Sequence, residues 1–341
     1  MSETKSKSGC WRTGCMGCLA LIALGIVLFL TLAAIQVRNE NREPVFERVD
    51  NLQQLPGEPY VFDALISPEA LEAGAATDAP ELPGSIELPQ TPSPEALAEA
   101  GVASGRVMVD LSAGEFRIRP GEPGESLRVE ADFDGASFEL EEELVAEDDG
   151  TWSYRVRFGA RGGWLGMLRG KEVNNNVTLV LPRGRPITLV GEVGLGESEI
   201  DLGGLWLEHL DLDLGAGEHL VEFSEPTLAP VPEMRIEGSA GELKLRQVGN
   251  ASPATLRVEQ SFGASRIDLG GAWRQDADVD VRFGFGECRI RQGDTARLTI
   301  ESARVSAGER RISLADEDSL PEDAPLLTLE VSGTAGELRI D

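Results

Sequence analysis

Histidine occurs twice and cysteine four times in the 341 residues, and each shortage closes off a branch of chemistry. His209 lies in the alternating stretch LEHLDLDL, where it shares the polar face with Asp211 and Asp213. His219 falls in an inward column of the repeat described below. Spacing implies no hydroxyl or thiol partner for either ring, so a hydrolytic triad is not expected. Cys10, Cys15 and Cys18 have the C-x4-C-x2-C spacing of a plant-type iron–sulfur ligand set. Their fourth ligand would have to be Cys288, which the topology argued below puts across a membrane. The three are therefore read as ordinary reduced thiols, and Cys288 as a buried free thiol. Cations are scarce as well: 31 Lys and Arg stand against 59 Asp and Glu, for a formal net charge of -28. Nucleic acid and anionic lipid would both repel such a chain, which excludes direct binding to either through charge.

What the chain does have begins with an apolar run. Residues 18–35, CLALIALGIVLFLTLAAI, contain no charge, and Met16, Gly17 and Val37 extend them to the roughly 20 residues that cross a bilayer. Lys5, Lys7 and Arg12 precede the run against a single Glu3, while acids and bases mix after it, so the N-terminus is predicted to stay cytoplasmic. Ala33 and Ala34 leave a cleavage site open, but a signal peptide has a shorter apolar stretch of about 7 to 15 residues.

Residues 39–104 hold nine of the nineteen prolines and thirteen Asp and Glu against two Arg. Proline and mutual repulsion predict an extended, semi-rigid spacer, with one short helix at SPEALAEAG, residues 93–101. The segment YVFDALI, residues 60–66, is apolar enough to dock on a neighbour.

From Gly105 onward the chain repeats itself. The phrase GESEIDLGGLW at residues 196–206 returns as GASRIDLGGAW at 263–273, without an activated nucleophile, metal-ligand spacing or phosphate-binding pattern in either. Both belong to a series of corner glycines: Gly114, Gly196, Gly217, Gly241, Gly263, Gly286, Gly308 and Gly336. From Gly196 the intervals are 21, 24, 22, 23, 22 and 28 residues, the signature of stacked strands. Two residues after each glycine stand Phe116, Ser198, His219, Leu243, Ser265, Cys288, Arg310 and Leu338; four after, only Ile, Val or Leu. Alternation turns both columns inward. Glutamate dominates the first outward column and Arg or Lys the second, a pairing that offsets the repulsion within the acidic ladder. Calcium binding by that ladder is the rival reading, and no metal or cofactor is assigned.

One segment breaks the pattern. GARGGWLGMLRGK, residues 159–171, sets apolar and basic side chains among glycines in an acidic protein. It reads either as a cap over the open end of the stack or as a contact loop for a partner or a membrane surface, with Arg161, Trp164, Leu165, Met167, Leu168 and Arg169 as the candidate contact residues. The final strand GELRID, residues 336–341, has no evident cap and predicts self-association through a C-terminal edge.

The run VTLVLPRGRPITLVGEVGLGESEIDLGGLWLEHLDLDLGAGEHLVEFSEP, residues 177–226, resembles the toast-rack domain found beside LiaF-type envelope-stress regulators and the related putative-adhesin β-repeat families of bacteria. The resemblance implies a single-chain β-solenoid and, for some membrane-linked members, modulation of histidine-kinase signalling. The expected architecture is all-β, a solenoid of stacked rungs with a period of about 22 residues, preceded by one transmembrane helix. Its parts are a cytoplasmic N-terminus (1–15), the helix (16–37), an acidic Pro-rich stalk (38–104) and the solenoid (105–341). The expected role is non-catalytic binding or scaffolding on the outer side of the cytoplasmic membrane, with an envelope or membrane protein as partner. Regulation of a membrane signalling partner and a glycan-active β-helix enzyme are the alternatives.

Overall fold

The computed structural model describes residues 45–57, 59, 102–148, 150–161, 175–314 and 320–341. The apolar run 16–37, the three N-terminal cysteines, the helix expected at 93–101, and Trp164, Leu165, Met167, Leu168 and Arg169 lie outside the described residues. Among the described residues no helix is long and apolar enough to cross a membrane.

The fold is all-β. Its strands are β1 (Phe46–Leu52), β2 (Gly105–Pro120), β3 (Arg128–Asp134), β4 (Phe138–Ala146), β5 (Trp152–Ala160), β6 (Asn176–Leu181), β7 (Pro186–Asp201), β8 (Trp206–Glu222), β9 (Glu233–Arg246), β10 (Thr255–Asp268), β11 (Ala277–Arg291), β12 (Arg297–Ile312) and β13 (Leu326–Ile340). They join one sheet in the order β1-β3-β6-β2-β7-β8-β9-β10-β11-β13-β12, with β4 and β5 attached beside β2. From β2 through β12 the long strands pair in parallel, and every corner glycine sits opposite the next one, Gly114 against Gly196 through Gly336 against Gly308. The glycine column of the sequence is thus a physical column.

Each long strand bends at its glycine into two arms. At Gly241 φ is 110°, which disfavours any L side chain, and a Cβ there would overlap the carbonyl oxygen of Gly217 one rung away. The bend turns alternate side chains of both arms onto one core. Leu189, Leu210, Met234, Leu256, Val279 and Leu329 stack from the first arm; Ile118, Ile200, Val221, Leu245, Ile267 and Ile290 stack from the second. All twelve are buried within a single apolar cluster. At about 25 cal/mol per Å² this continuous apolar contact is the main stabilising term, and deleting one rung's aliphatic leaves a cavity costing about 2–5 kcal/mol.

The repeated DLGG phrase closes the side between the arms. Asp201 Oδ1 accepts from Gly203 N (3.0 Å), and Asp268 Oδ1 from Gly270 N (2.9 Å), so each aspartate braces its own turn. Trp273 Nε1 then donates to Leu269 O (2.7 Å) and seals the link.

The start of the stack is capped by reversal. β3 runs antiparallel to β6, β4 antiparallel to β5, and β1 antiparallel to β3. Phe158 lies between Phe138 (stacked, 5.4 Å) and Phe133 (edge-on, 5.3 Å), an aromatic plug at that end of the core.

Three expectations change. Phe46–Leu52, inside the stretch read as stalk, is a strand of the capped end: an exposed edge strand has too little apolar alternation to announce itself. The last strand is not the edge. β13 lies between β11 and β12 and is hydrogen-bonded on both sides, because the chain crosses over before its final rung. β12 is the edge instead, and a bulge between Ile300 and Ser302 together with exposed Glu309, Arg310 and Arg311 blunts it against strand addition. Arg310, placed in an inward column by spacing, is exposed there for the same reason.

Candidate partner-contact site

β5 and β6 together make one rung. β5 pairs with the first arm of β2 and β6 with the second, so the 159–171 segment is inserted at the bend where other rungs place a glycine. Asn175 takes the corner: its carbonyl oxygen accepts from Glu115 N (2.8 Å), and its Oδ1 accepts from Asp134 N (3.3 Å).

Of the six candidate contact residues, Arg161 is described. It is exposed, yet committed to the fold: its amide donates to Ser137 O (2.8 Å), its Nε to Phe138 O (3.0 Å), and Nη1 lies 3.6 Å from Glu139. Arg161 therefore fixes the base of the loop against β4. The reversed strands also close the end of the stack, a task that sequence had left open for the loop.

Beyond the loop's exit, the outer face of the second arm is concave. A groove of ≈ 320 Å³ has Asn176 and Thr178 at one end and Lys244 and Arg246 at the other, with Glu197, Glu199 and Glu218 between. Arg117 spans it to Glu199 (3.0 Å), and Lys244 pairs with Glu242 (2.5 Å). These pairs, the first exposed and the second half-buried, hold the alternation of acid and base predicted from the columns.

Beneath this face lies a pairing that spacing had not indicated. Ser198 Oγ is 2.8 Å from His219 Nδ1, both side chains buried in the inward column one rung apart. The signal was present, since the two residues are consecutive members of that column. His219 Nε2 finds no hydrogen-bonding partner among the described residues. Burial pushes the imidazole pKa down, and the nearby Gly215 carbonyl opposes this only in part. Both side chains are buried, and the pair forms a polar rung in an otherwise apolar stack. Further along the column Cys288 is a buried free thiol whose pKa burial pushes up to about 11.

A second polar network was also missed. Arg274 reaches across two links, donating through Nη1 to Thr227 O (2.8 Å) and through Nη2 to Thr227 Oγ1 (2.8 Å) and Asn250 O (3.2 Å). Asn250 Nδ2 donates in turn to Phe223 O (2.7 Å). Nothing in the spacing marks these residues, because each sits in a link of different length.

Residues 89–246 match the family described as the N-terminal domain of toast_rack, DUF2154. No curated protein matches the chain. Among solved structures, a putative cell adhesion protein from Clostridium sporogenes is similar at 10% identity and a TM-score of 0.35, over 70% of this chain and 93% of that one. A putative adhesin from Bacteroides fragilis gives 10% identity and a TM-score of 0.29 over the same shares. A putative adhesin from Parabacteroides merdae gives 11% and 0.27 over 70% and 92%.

Proposed function

Starting from a chain whose residues 89–246 are a toast-rack N-terminal domain, we propose that it is a membrane-anchored, extracytoplasmic binding or scaffolding protein of the bacterial cell envelope that performs no catalysis. The apolar run 16–37 supplies the anchor, and the charge bias around it sends the stack outward. One observation carries the binding role. The stack is regular except where a basic, apolar segment is inserted at its bend, beside a groove of mixed charge. The reversed strands already close that end of the stack, and aromatic side chains beside arginine suit protein interfaces.

The test is a photoreactive residue at Trp164 of the full-length protein, crosslinked in cells and read by mass spectrometry. Capture of a discrete protein at that position, with protease reaching the stack only from outside the cell membrane, is the expected result. A stack shielded from outside protease, or a loop that crosslinks solely to its own chain, would overturn the reading.

A further inference from the structure

The residue before each corner glycine forms a column of its own, apolar on every rung from β2 to β12. On β7 it is Leu195, on β10 Phe262 and on β11 Phe285; on β2, β8, β9, β13 and β12 it is alanine. The bend turns the column away from the core. Leu195 is 51%, Phe262 56% and Phe285 52% exposed, and the two phenyl rings stack with centroids 5.4 Å apart. Scattered exposed apolar residues need no explanation, but an unbroken ridge along the whole stack does. The residues just before it on the first arm are small: Ser112, Gly194, Gly215, Ser239, Ser261 and Gly284. A second surface can therefore come close.

The order of sizes along the ridge complements itself when reversed. Two ridges laid side by side in the same direction set Phe262 against Phe262 and Phe285 against Phe285, bulk on bulk. Laid in opposite directions with full overlap, they turn about a line between β9 and β10. Phe262 then meets Ala240, Phe285 meets Ala216, Leu195 meets Ala335, and Ala113 meets Ala307. Each large side chain faces an alanine, and both ridges advance by the same strand spacing of about 4.8 Å, so the fit holds from rung to rung. A second copy carries both this spacing and this order of sizes.

Charge does not select the pairing. The same reversal sets Asp213 opposite Arg282 and Glu199 opposite Arg339, but also Glu237 opposite Glu259 and Lys244 opposite Arg266. The contact rests on the apolar fit, and salt should change it little. From β2 to β12 the ridge runs about 34 Å at about 4.8 Å per rung. At a width of roughly 12 Å it buries on the order of 400 Å² per copy, half of a standard interface, which makes a reversible pair.

We propose that two copies of the chain pair through this ridge with their stacks running in opposite directions, related by a two-fold axis between β9 and β10. The capped ends then lie at opposite ends of the pair. The inference goes beyond the reading of 159–171 as a contact loop and makes no use of it.

Two differently tagged full-length copies, with Cys10, Cys15 and Cys18 changed to serine, are produced together and treated in cells with a short bismaleimide. One carries Ala113→Cys and the other Ala307→Cys. The expected result is a crosslink between the two tags, whereas Ala113→Cys in both copies gives none because the thiols stand a ridge-length apart. Placed in both copies, Ala240→Phe alone sets ring against ring and Phe262→Ala alone leaves a gap. Each should reduce the capture about tenfold, and the two together should restore it. A general hydrophobic attraction would instead grow with Ala240→Phe. An unchanged melting profile checks that the fold survives. No capture between copies, as when a different protein or the chain's own residues 162–174 cover the ridge, would overturn the proposal. Capture with Ala113→Cys in both copies, or a double substitution that fails to restore the pair, would overturn it too.

Discussion

Ser198 Oγ and His219 Nδ1 meet at 2.8 Å inside an otherwise apolar column, one rung apart. Protonation of His219 would put a charge where the column offers Leu243 on one side and a hydroxyl on the other. Its folded pKa lies below its unfolded value of about 6.5. The stability it contributes is therefore complete above pH 6.5 and is lost as pH falls from there through the folded pKa, with a slope of at most about 1.4 kcal/mol per pH unit. Denaturant unfolding between pH 7.5 and 5 should show this slope in the native sequence. His219→Leu should lose it, and an equal slope in both proteins would assign the effect to the surface carboxylates.

Cys288 is sealed in the same column, and its folded pKa is pushed up to about 11 by burial. A raised thiol pKa means stability that is complete below the unfolded value of about 8.5 and lost as pH rises towards 11. In the native protein a thiol reagent should modify Cys288 only at the rate of opening, and in denaturant at once. Rapid native labelling, with the other cysteines changed to serine, would show the column to be open.

Gly241→Ala is expected to destabilise the protein by at least about 1–3 kcal/mol, the cost of holding a side chain at φ 110° before any overlap with Gly217 is counted. Gly124, whose φ is 83° but whose Cβ would meet nothing, provides the control. Urea midpoints of the two alanine variants separate close stacking from backbone conformation. Equal losses would mean that the approach of rungs contributes nothing.

Glu142 joins three elements. Its carboxylate accepts from Asn51 Nδ2 (2.6 Å), Gln53 Nε2 (3.1 Å) and the Tyr154 hydroxyl (2.7 Å), which ties the β1 region to β4 and β5. Glu142→Ala leaves the buried tyrosine hydroxyl unpaired, a loss of about 1–3 kcal/mol. Limited proteolysis should then cut near residues 45–57 at least several-fold faster. Unchanged cleavage would show that the backbone pairing of β1 with β3 suffices by itself.

The regular part of the fold was legible because periodicity and register are the same fact in a parallel stack: glycine above glycine, Ile200 beside Val221. Legibility failed where neighbours in space are not neighbours in pattern. FELEEELVA of β4 hides behind its run of acids, since only an antiparallel partner gives its alternate residues a side to bury. The crossover that places β13 inside β12 leaves no mark at all, because both strands fit the repeat equally well. At the candidate contact site, composition singled out the loop, but the register was needed to show that it joins β5 to β6 at the bend of one rung.

The pairing of β1 with β3 bears on how the proposed anchor would hold the stack. With residues 16–37 in a bilayer, only eight residues, 38–45, lie between the span and β1, at most about 29 Å of chain. The capped end would ride close above the lipid headgroups on a short leash. The proline-rich residues after β1 begin and end on strands of one sheet, β1 and β2, and so add nothing to the height of the stack. Lengthening that stretch would leave the reach of the protein unchanged, whereas inserting residues before Phe46 would raise the whole rack.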